Sequence, residues 1–230
     1  RHHLVNLFKG RFIFTFIWAN ISFRKRPERL LEAYTKLINE SKMIKDRVWL
    51  HMNCIPNGTT GFDLLQIADD LGIKENVSFS YGMNRSNTLS DELINILLNM
   101  SDCFVSATSS EGMSINHLLS MAIGLPCISP NNTVITELIG EIIPYSNNPN
   151  KTIGPRGLLA NIQADYMLQD LTYRSLVDEE DLAFNMSQMF KDDKMREQYS
   201  SNALKFADQY SWSKICGQWD KLLKTISIAM

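Results

Sequence analysis

The residues best placed to do chemistry are Glu111, Gly112 and Ser114, in the run SSEGMSINHLLSMAIGLPCIS over 109–129. They follow a short apolar run ending at Thr108 and precede a helical pattern. A carboxylate, a glycine and a capping serine therefore gather at one helix start. Ser114 reads as the N-cap of the helix, whose free N–H groups and positive dipole end attract an anion. Gly112 lets the backbone approach a ligand closely, and Glu111 can accept hydrogen bonds from sugar hydroxyls. A plainer reading fits the same residues: Glu111 satisfies the helix dipole and Gly112 turns the chain. The other charged feature, Arg24-Lys25-Arg26 before Pro27, reads by itself as a solvated helix start, with proline at a first helical position.

The elements that must position these residues follow from periodicity. Short β-branched or aromatic runs alternate with helical patterns, which predicts βαβ units around a parallel sheet. Strands are expected at 11–19, 48–54, 76–81, 103–108 and 126–129. Helices are expected after Pro27, at 62–71, from the Ser90 cap through Met100, at 115–123 before Gly124, and in a segment ending at Gly140. After that the pattern weakens: IIPY (142–145), GLLANI (157–162), and a long irregular segment through Val177. Three helices close the chain, at 180–190, 194–207 and 211–226. The expectation is one doubly wound, Rossmann-like α/β domain with C-terminal helices. In such a sheet a ligand sits outside the carboxyl ends of the strands, so the loops 20–27, 81–88 and 108–115 are the ones to read for function. The common phosphate-cradling signatures, a P-loop or GxGxxG, do not occur.

Composition narrows the function class. The chain has 230 residues, 23 Lys+Arg against 25 Asp+Glu, and 44% hydrophobic residues, the balance of an ordinary globular protein. Near-neutral charge without a long basic stripe argues against a nucleic acid partner. The longest apolar runs are too short for a membrane helix, and no signal peptide is visible. Cys54, Cys103, Cys127 and Cys216 form no CxxC pair and read as small buried hydrophobes in a reducing, cytoplasmic compartment, with peripheral membrane association left open. His2, His3, His51 and His117 have no metal-ligand spacing, and no metal or other cofactor is expected.

The run 109–129 resembles the donor-site motif of family 4 retaining glycosyltransferases, EGFGLPLLEAMACGLPVI, a family with the two-domain GT-B fold. Glu111, Gly112, Leu118, Met121, Ala122, Gly124, Leu125, Pro126 and Ile128 match in register. KRPERLLEAY (25–34) is similar to that family's KGxDLLLEAF, Asp102 stands where its "aD" precedes the fourth strand, and Thr136-Glu137-Leu138-Ile139 is similar to its PEIV. SLVDEEDLA (175–183), Phe206 and Ser211-Trp212 resemble its closing pattern, so the likeness runs from about residue 11 to 226.

The resemblance implies a donor-binding, C-terminal half of a GT-B enzyme over 1–230. Residues 1–10 would be an inter-domain stub and 211–230 the terminal helix. Arg1 in place of Met reads as a cut from an N-terminal acceptor domain. It further implies that Lys25 contacts the diphosphate of a nucleotide-sugar and that Glu111 binds the transferred sugar; these two are the expected catalytic residues. Gly112 and the amides of Met113, Ser114 and Ile115 would face sugar and phosphates, while Tyr81, Gly82 and Met83 would line the base. Two positions depart from the motif. Leu119 stands where a second glutamate grips ribose, and Asn20 where an arginine clamps phosphate; Arg24 or Arg26 is then the candidate for the missing charge.

The implied activity is metal-independent transfer of a hexose with retention of configuration, with GDP-mannose favoured over UDP-sugars as donor. The acceptor, whether glycan, lipid or protein, leaves no trace. Transfer would need the N-terminal domain. Leu119 and Asn20 keep a rival open, a non-catalytic nucleotide-sugar binding module or degenerate subunit. A flavodoxin-like interaction domain shares the pattern but leaves the Glu111 loop unexplained.

Overall fold

The computed structural model describes residues 8, 10–18, 23–57, 61–80, 89–140, 154–169 and 171–228. In chain order its elements are β1 (Phe12–Ile17), α1 (Pro27–Asn39), α2 (Lys42–Arg47), β2 (Val48–Asn53), α3 (Leu64–Asp70), β3 (Val77–Phe79), α4 (Asp91–Met100), β4 (Cys103–Val105), α5 (Ile115–Ala122), β5 (Cys127–Pro130), α6 (Ile135–Ile139), β6 (Gly157–Ala160), β7 (Ile162–Met167), β8 (Tyr173–Val177), α7 (Glu179–Lys191), α8 (Asp193–Ala207) and α9 (Trp212–Ile228).

Six strands form one parallel sheet in the order β3-β2-β1-β4-β5-β6. β1 lies at its centre, with Phe14 paired to Leu50 on one side and Cys103 on the other. Phe14, Phe16, Leu50, Met52, Phe104, Val105 and Ile128 are buried. Strands covered on both faces need such unbroken apolar runs. Right-handed crossovers that run outward from β1 to β3, then return to β4 and run outward to β6, send helices to opposite faces. Accordingly α1 packs on α7, and α5 on α8. The expected doubly wound fold is what forms, and its topological switch point lies between β1 and β4.

Local chemistry starts and stops the helices much as the sequence indicates. Ser90 accepts from the Leu93 amide, Asp63 from Gln66, Asp178 from Glu180 and Asp181, and Asp192 from Met195. Gly124 ends α5 at φ +76. Cys54, Cys103 and Cys127 are buried free thiols as expected, but Cys216 is exposed, because it lies on the largely uncovered α9.

Two expectations need correction. The segment expected to be irregular through Val177 contains an antiparallel hairpin, β7 with β8, in which Tyr166 stands opposite Arg174. The hairpin is short, and most of β7 is exposed, so it lacks the apolar alternation that would reveal it. Ser114 does occupy the N-cap position, but in the left-handed region at φ 53, ψ 68, and its side chain makes no capping bond. The IIPY expectation at 142–145 lies outside the described residues.

Candidate functional site

The loops that leave β1 and β4 meet at the switch point. After β1 the chain makes a 3-10 turn over Phe23–Lys25, then Arg26 at φ 48 and Pro27 launch α1. After β4 it runs through Ser106 to Ser114 into α5. The two loops are zipped by backbone and hydroxyl bonds: the Arg24 carbonyl accepts from the Ser109 amide (2.8 Å) and the Ser109 hydroxyl (3.0 Å). Asn116, in the first turn of α5, donates to the Ile17 carbonyl at the end of β1 (2.6 Å).

This zipper places Lys25 against Glu111. The buried Lys25 ammonium donates to Glu111 Oε1, and Thr108 Oγ1 donates to the same oxygen at 2.8 Å. Arg24 reaches Glu111 Oε2 at 3.1 Å and the Ser110 carbonyl at 2.8 Å. Beneath, the Lys25 ammonium lies 4.3 Å from the Trp18 ring centroid, a favourable cation–π placement. Burial, with help from Arg24, pulls the Lys25 pKa down to about 8, although Glu111 pulls the other way. The basic cluster is therefore not a solvated helix start, and Glu111 is not spent on a helix dipole.

Ser114 uses its hydroxyl on His117 rather than on the helix. His117 is fully buried, with Nδ1 2.6 Å from Ser114 Oγ and Nε2 2.6 Å from Ser129 Oγ, and its ring meets Trp18 and Phe104. Burial first, then the Lys25 charge, lowers its pKa to about 3. The neutral ring has one donor and one acceptor, which the two hydroxyls match.

A cavity of about 450 Å³ opens over Glu111, lined by Arg24, Ser110, Gly112, Thr133 and Arg174. The Thr133 hydroxyl accepts from the Glu111 amide at 3.1 Å. A Cβ at Gly112 would enter open space, so no contact within the protein requires glycine there. Of the residues singled out from sequence, Lys25, Arg24, Glu111 and Gly112 come together. Arg26 turns instead to Glu28 (3.1 Å) and the Tyr166 hydroxyl (2.9 Å). Met113, Ile115 and Leu119 line a separate, largely apolar groove of about 800 Å³ between α5 and α9, with Trp212 on its far side. Asn20, Tyr81, Gly82 and Met83 lie outside the described residues. Sequence reasoning missed Trp18, His117, Thr133 and Arg174. Thr133, just past the PCIS strand, and the unabsorbed His117 were the available signals; Arg174 left none, because its hairpin was unseen.

No helix among the described residues is long and apolar enough to cross a membrane. A family model described as glycosyl transferases group 1 matches residues 3–143. An uncharacterized glycosyltransferase of Methanocaldococcus jannaschii is 25% identical over 228 residues, which is 95% of this chain and 51% of that protein. Among solved structures, the sucrose-phosphate synthase of Thermosynechococcus elongatus superposes with a TM-score of 0.69 at 16% identity, over 99% of this chain and 48% of that one. The C-terminal domain of a glycosyl transferase group 1 family protein from Francisella tularensis gives 0.59 at 15% identity, over 87% and 86%. The chain thus spans about half the length of the curated relative it matches.

Proposed function

Because the chain belongs to the group 1 glycosyl transferases, we propose that it is the donor-binding half of a retaining hexosyltransferase that takes a nucleoside-diphosphate sugar. The observation that carries this reading is the Lys25–Glu111 pair, delivered by the loops after β1 and β4 to the switch point where such sheets bind ligands. In this reading the diphosphate displaces the Glu111 carboxylate from Lys25 and takes its place against the ammonium. Charge developing on the departing diphosphate is then held by a cation already oriented and partly desolvated, which is where electrostatic stabilisation is strongest. The freed carboxylate accepts from sugar hydroxyls while the ring carries oxocarbenium character, and the acceptor hydroxyl attacks from the face the leaving group departs. Donor neutralisation by Lys25 and Arg24 needs no metal. GDP-mannose or a UDP-hexose is the donor, the acceptor is bound by a second, N-terminal domain, and the unpaired buried thiols suit a reducing compartment.

The test is donor hydrolysis or transfer by the intact protein with EDTA present. Lys25→Ala should abolish turnover while Lys221→Ala, on the exposed face of α9, leaves it unchanged. If Lys25→Ala and Glu111→Ala both retain full turnover, the site assignment fails. One observation favours a second reading, a nucleotide-sugar binding module without turnover: Leu119 lies in the apolar groove rather than over the Glu111 cavity, and its side chain, unlike the glutamate of the motif, has no atom to accept a ribose hydrogen bond. Tight donor binding with no turnover in the intact protein would select it.

A further inference from the structure

The cavity over Glu111 has one wall that comes from outside the family-matched residues 3–143, the β7–β8 hairpin. It is fastened to the switch-point loops and to the first turn of α1 at three places. The Ser175 amide donates to the Ser109 carbonyl at 3.1 Å. Arg26 donates to the Tyr166 hydroxyl at 2.9 Å, with its guanidinium 5.2 Å from the ring centroid. Arg29 donates to Gln163 Oε1 (2.9 Å) and the Val177 carbonyl (2.8 Å). Tyr166 and Arg174 are register partners, so both point to the same side of the ribbon, and Arg174 lines the cavity beside Arg24 and Glu111.

The charges there do not balance. Lys25 and Arg24 share the single carboxylate of Glu111. Among the described residues Arg174 has no carboxylate within ion-pair distance, and it donates only to the neighbouring Tyr173 carbonyl at 3.4 Å. Three cations against one carboxylate leave an excess of two positive charges, which complements the two negative charges of a sugar diphosphate. We propose that Arg174 is a ligand contact of the donor cavity and supplies a further cationic clamp on the diphosphate, beside Lys25 and Arg24. It stands in for the arginine that the motif has where this chain has Asn20. A planar guanidinium suits that task, since it binds phosphate oxygens in pairs. The inference rests on the donor-binding reading above.

Calorimetry on the intact protein tests it, with UDP and UMP, or GDP and GMP, according to which base the wild type takes. Hydrogen bonds to charged groups imply that Arg174→Ala weakens the diphosphate about 10- to 100-fold while the monophosphate changes by no more than about twofold. Arg174→Lys should recover part of the loss, and Tyr173→Ser, an exposed change on the same strand, should behave as wild type. Equal losses for both nucleotides, or none, overturn the proposal and leave the donor reading standing. A loss confined to UDP-glucuronate and absent for UDP-glucose also overturns it, because Arg174 would then read the sugar. If the wild type binds neither diphosphate, the donor reading and this inference fall together.

Discussion

Lys25 and Glu111, separated by 86 residues of chain, form an ion pair below the surface, with the Trp18 ring under the ammonium and Arg24 on the outer carboxylate oxygen. Removing one partner of a buried pair leaves an uncompensated charge, which is costly. A second anion that replaces Glu111 against Lys25 avoids that cost, so the pair suits exchange with a ligand better than it suits permanent support.

The Lys25 pKa near 8 gives the activity a direction in pH. In the free protein Lys25 loses its proton as pH rises through about 8, and with it the charge that meets the diphosphate. The kcat/KM of the intact enzyme should therefore fall above about pH 8, since that ratio reports free-enzyme ionisations. Stability moves oppositely. The folded pKa lies below the ordinary 10.5, so between those values the unfolded chain binds more protons, and this group's contribution to stability rises with pH. Lys25→Arg, which stays charged, should flatten the alkaline limb; an unchanged limb would assign it to another group.

Two glycines should separate ligand space from packing space. Gly112→Ala puts its Cβ into the open cavity, so thermal stability should change little while diphosphate affinity drops. At Gly157 a Cβ would lie 1.9 Å from the Cys127 carbonyl oxygen, across the β5–β6 pair, so Gly157→Ala should lower the melting temperature sharply. A Gly112→Ala protein with wild-type affinity would show that no ligand approaches there.

Ser114 pays a backbone cost that its hydroxyl offsets. A non-glycine residue in the left-handed region costs about 1–2 kcal/mol, yet Ser114→Gly would leave a buried His117 nitrogen unpaired, at about 1–3 kcal/mol. The substitution should therefore be neutral to mildly destabilising in the wild-type background, and it should become stabilising in a His117→Leu background, where no ring nitrogen remains. Urea denaturation of the four proteins measures this coupling; additive effects would mean the Ser114–His117 bond contributes nothing.

Arg156 should tolerate no neutral replacement. It is fully buried and, among the described residues, donates to the backbone carbonyls of Leu138 (2.6 Å), Gly140 (2.6 Å), Glu137 (2.9 Å) and Gly154 (2.9 Å), with its guanidinium 4.4 Å from the Phe206 centroid. Three of these belong to the end of α6, where carbonyls lack helical partners. Arg156→Met strands them, at about 3 kcal/mol or more, and Arg156→Lys should recover only a part, as a single ammonium cannot span the fork. Equal stability of Arg156→Met and wild type would refute this.

Much of the architecture is legible in the sequence. Phe14, Phe16, Leu50, Phe104 and Ile128 are apolar because both sides of their strands are covered, and that periodicity is written in one dimension. Lys25 and Glu111 were legible through a motif, since each stands at a fixed distance after a strand. Ser114 was misread because a serine before a helix usually caps it, and only the left-handed backbone diverts its hydroxyl to His117. Arg174 was illegible, since an exposed two-stranded ribbon carries little apolar patterning and its value depends on what it touches.

The sequence by itself determined the doubly wound sheet, the family likeness and the two residues that face each other at its switch point, because spacing along the chain sets which strand end each follows. Tertiary structure alone decided the rest: that Lys25 and Glu111 neutralise one another, that Arg26 belongs to Tyr166, that Leu119 faces an apolar groove, and that a hairpin brings Arg174 to the cavity. Each depends on which groups share a small volume, and Coulomb and hydrogen-bond energies depend on distance and burial, which residue order does not encode.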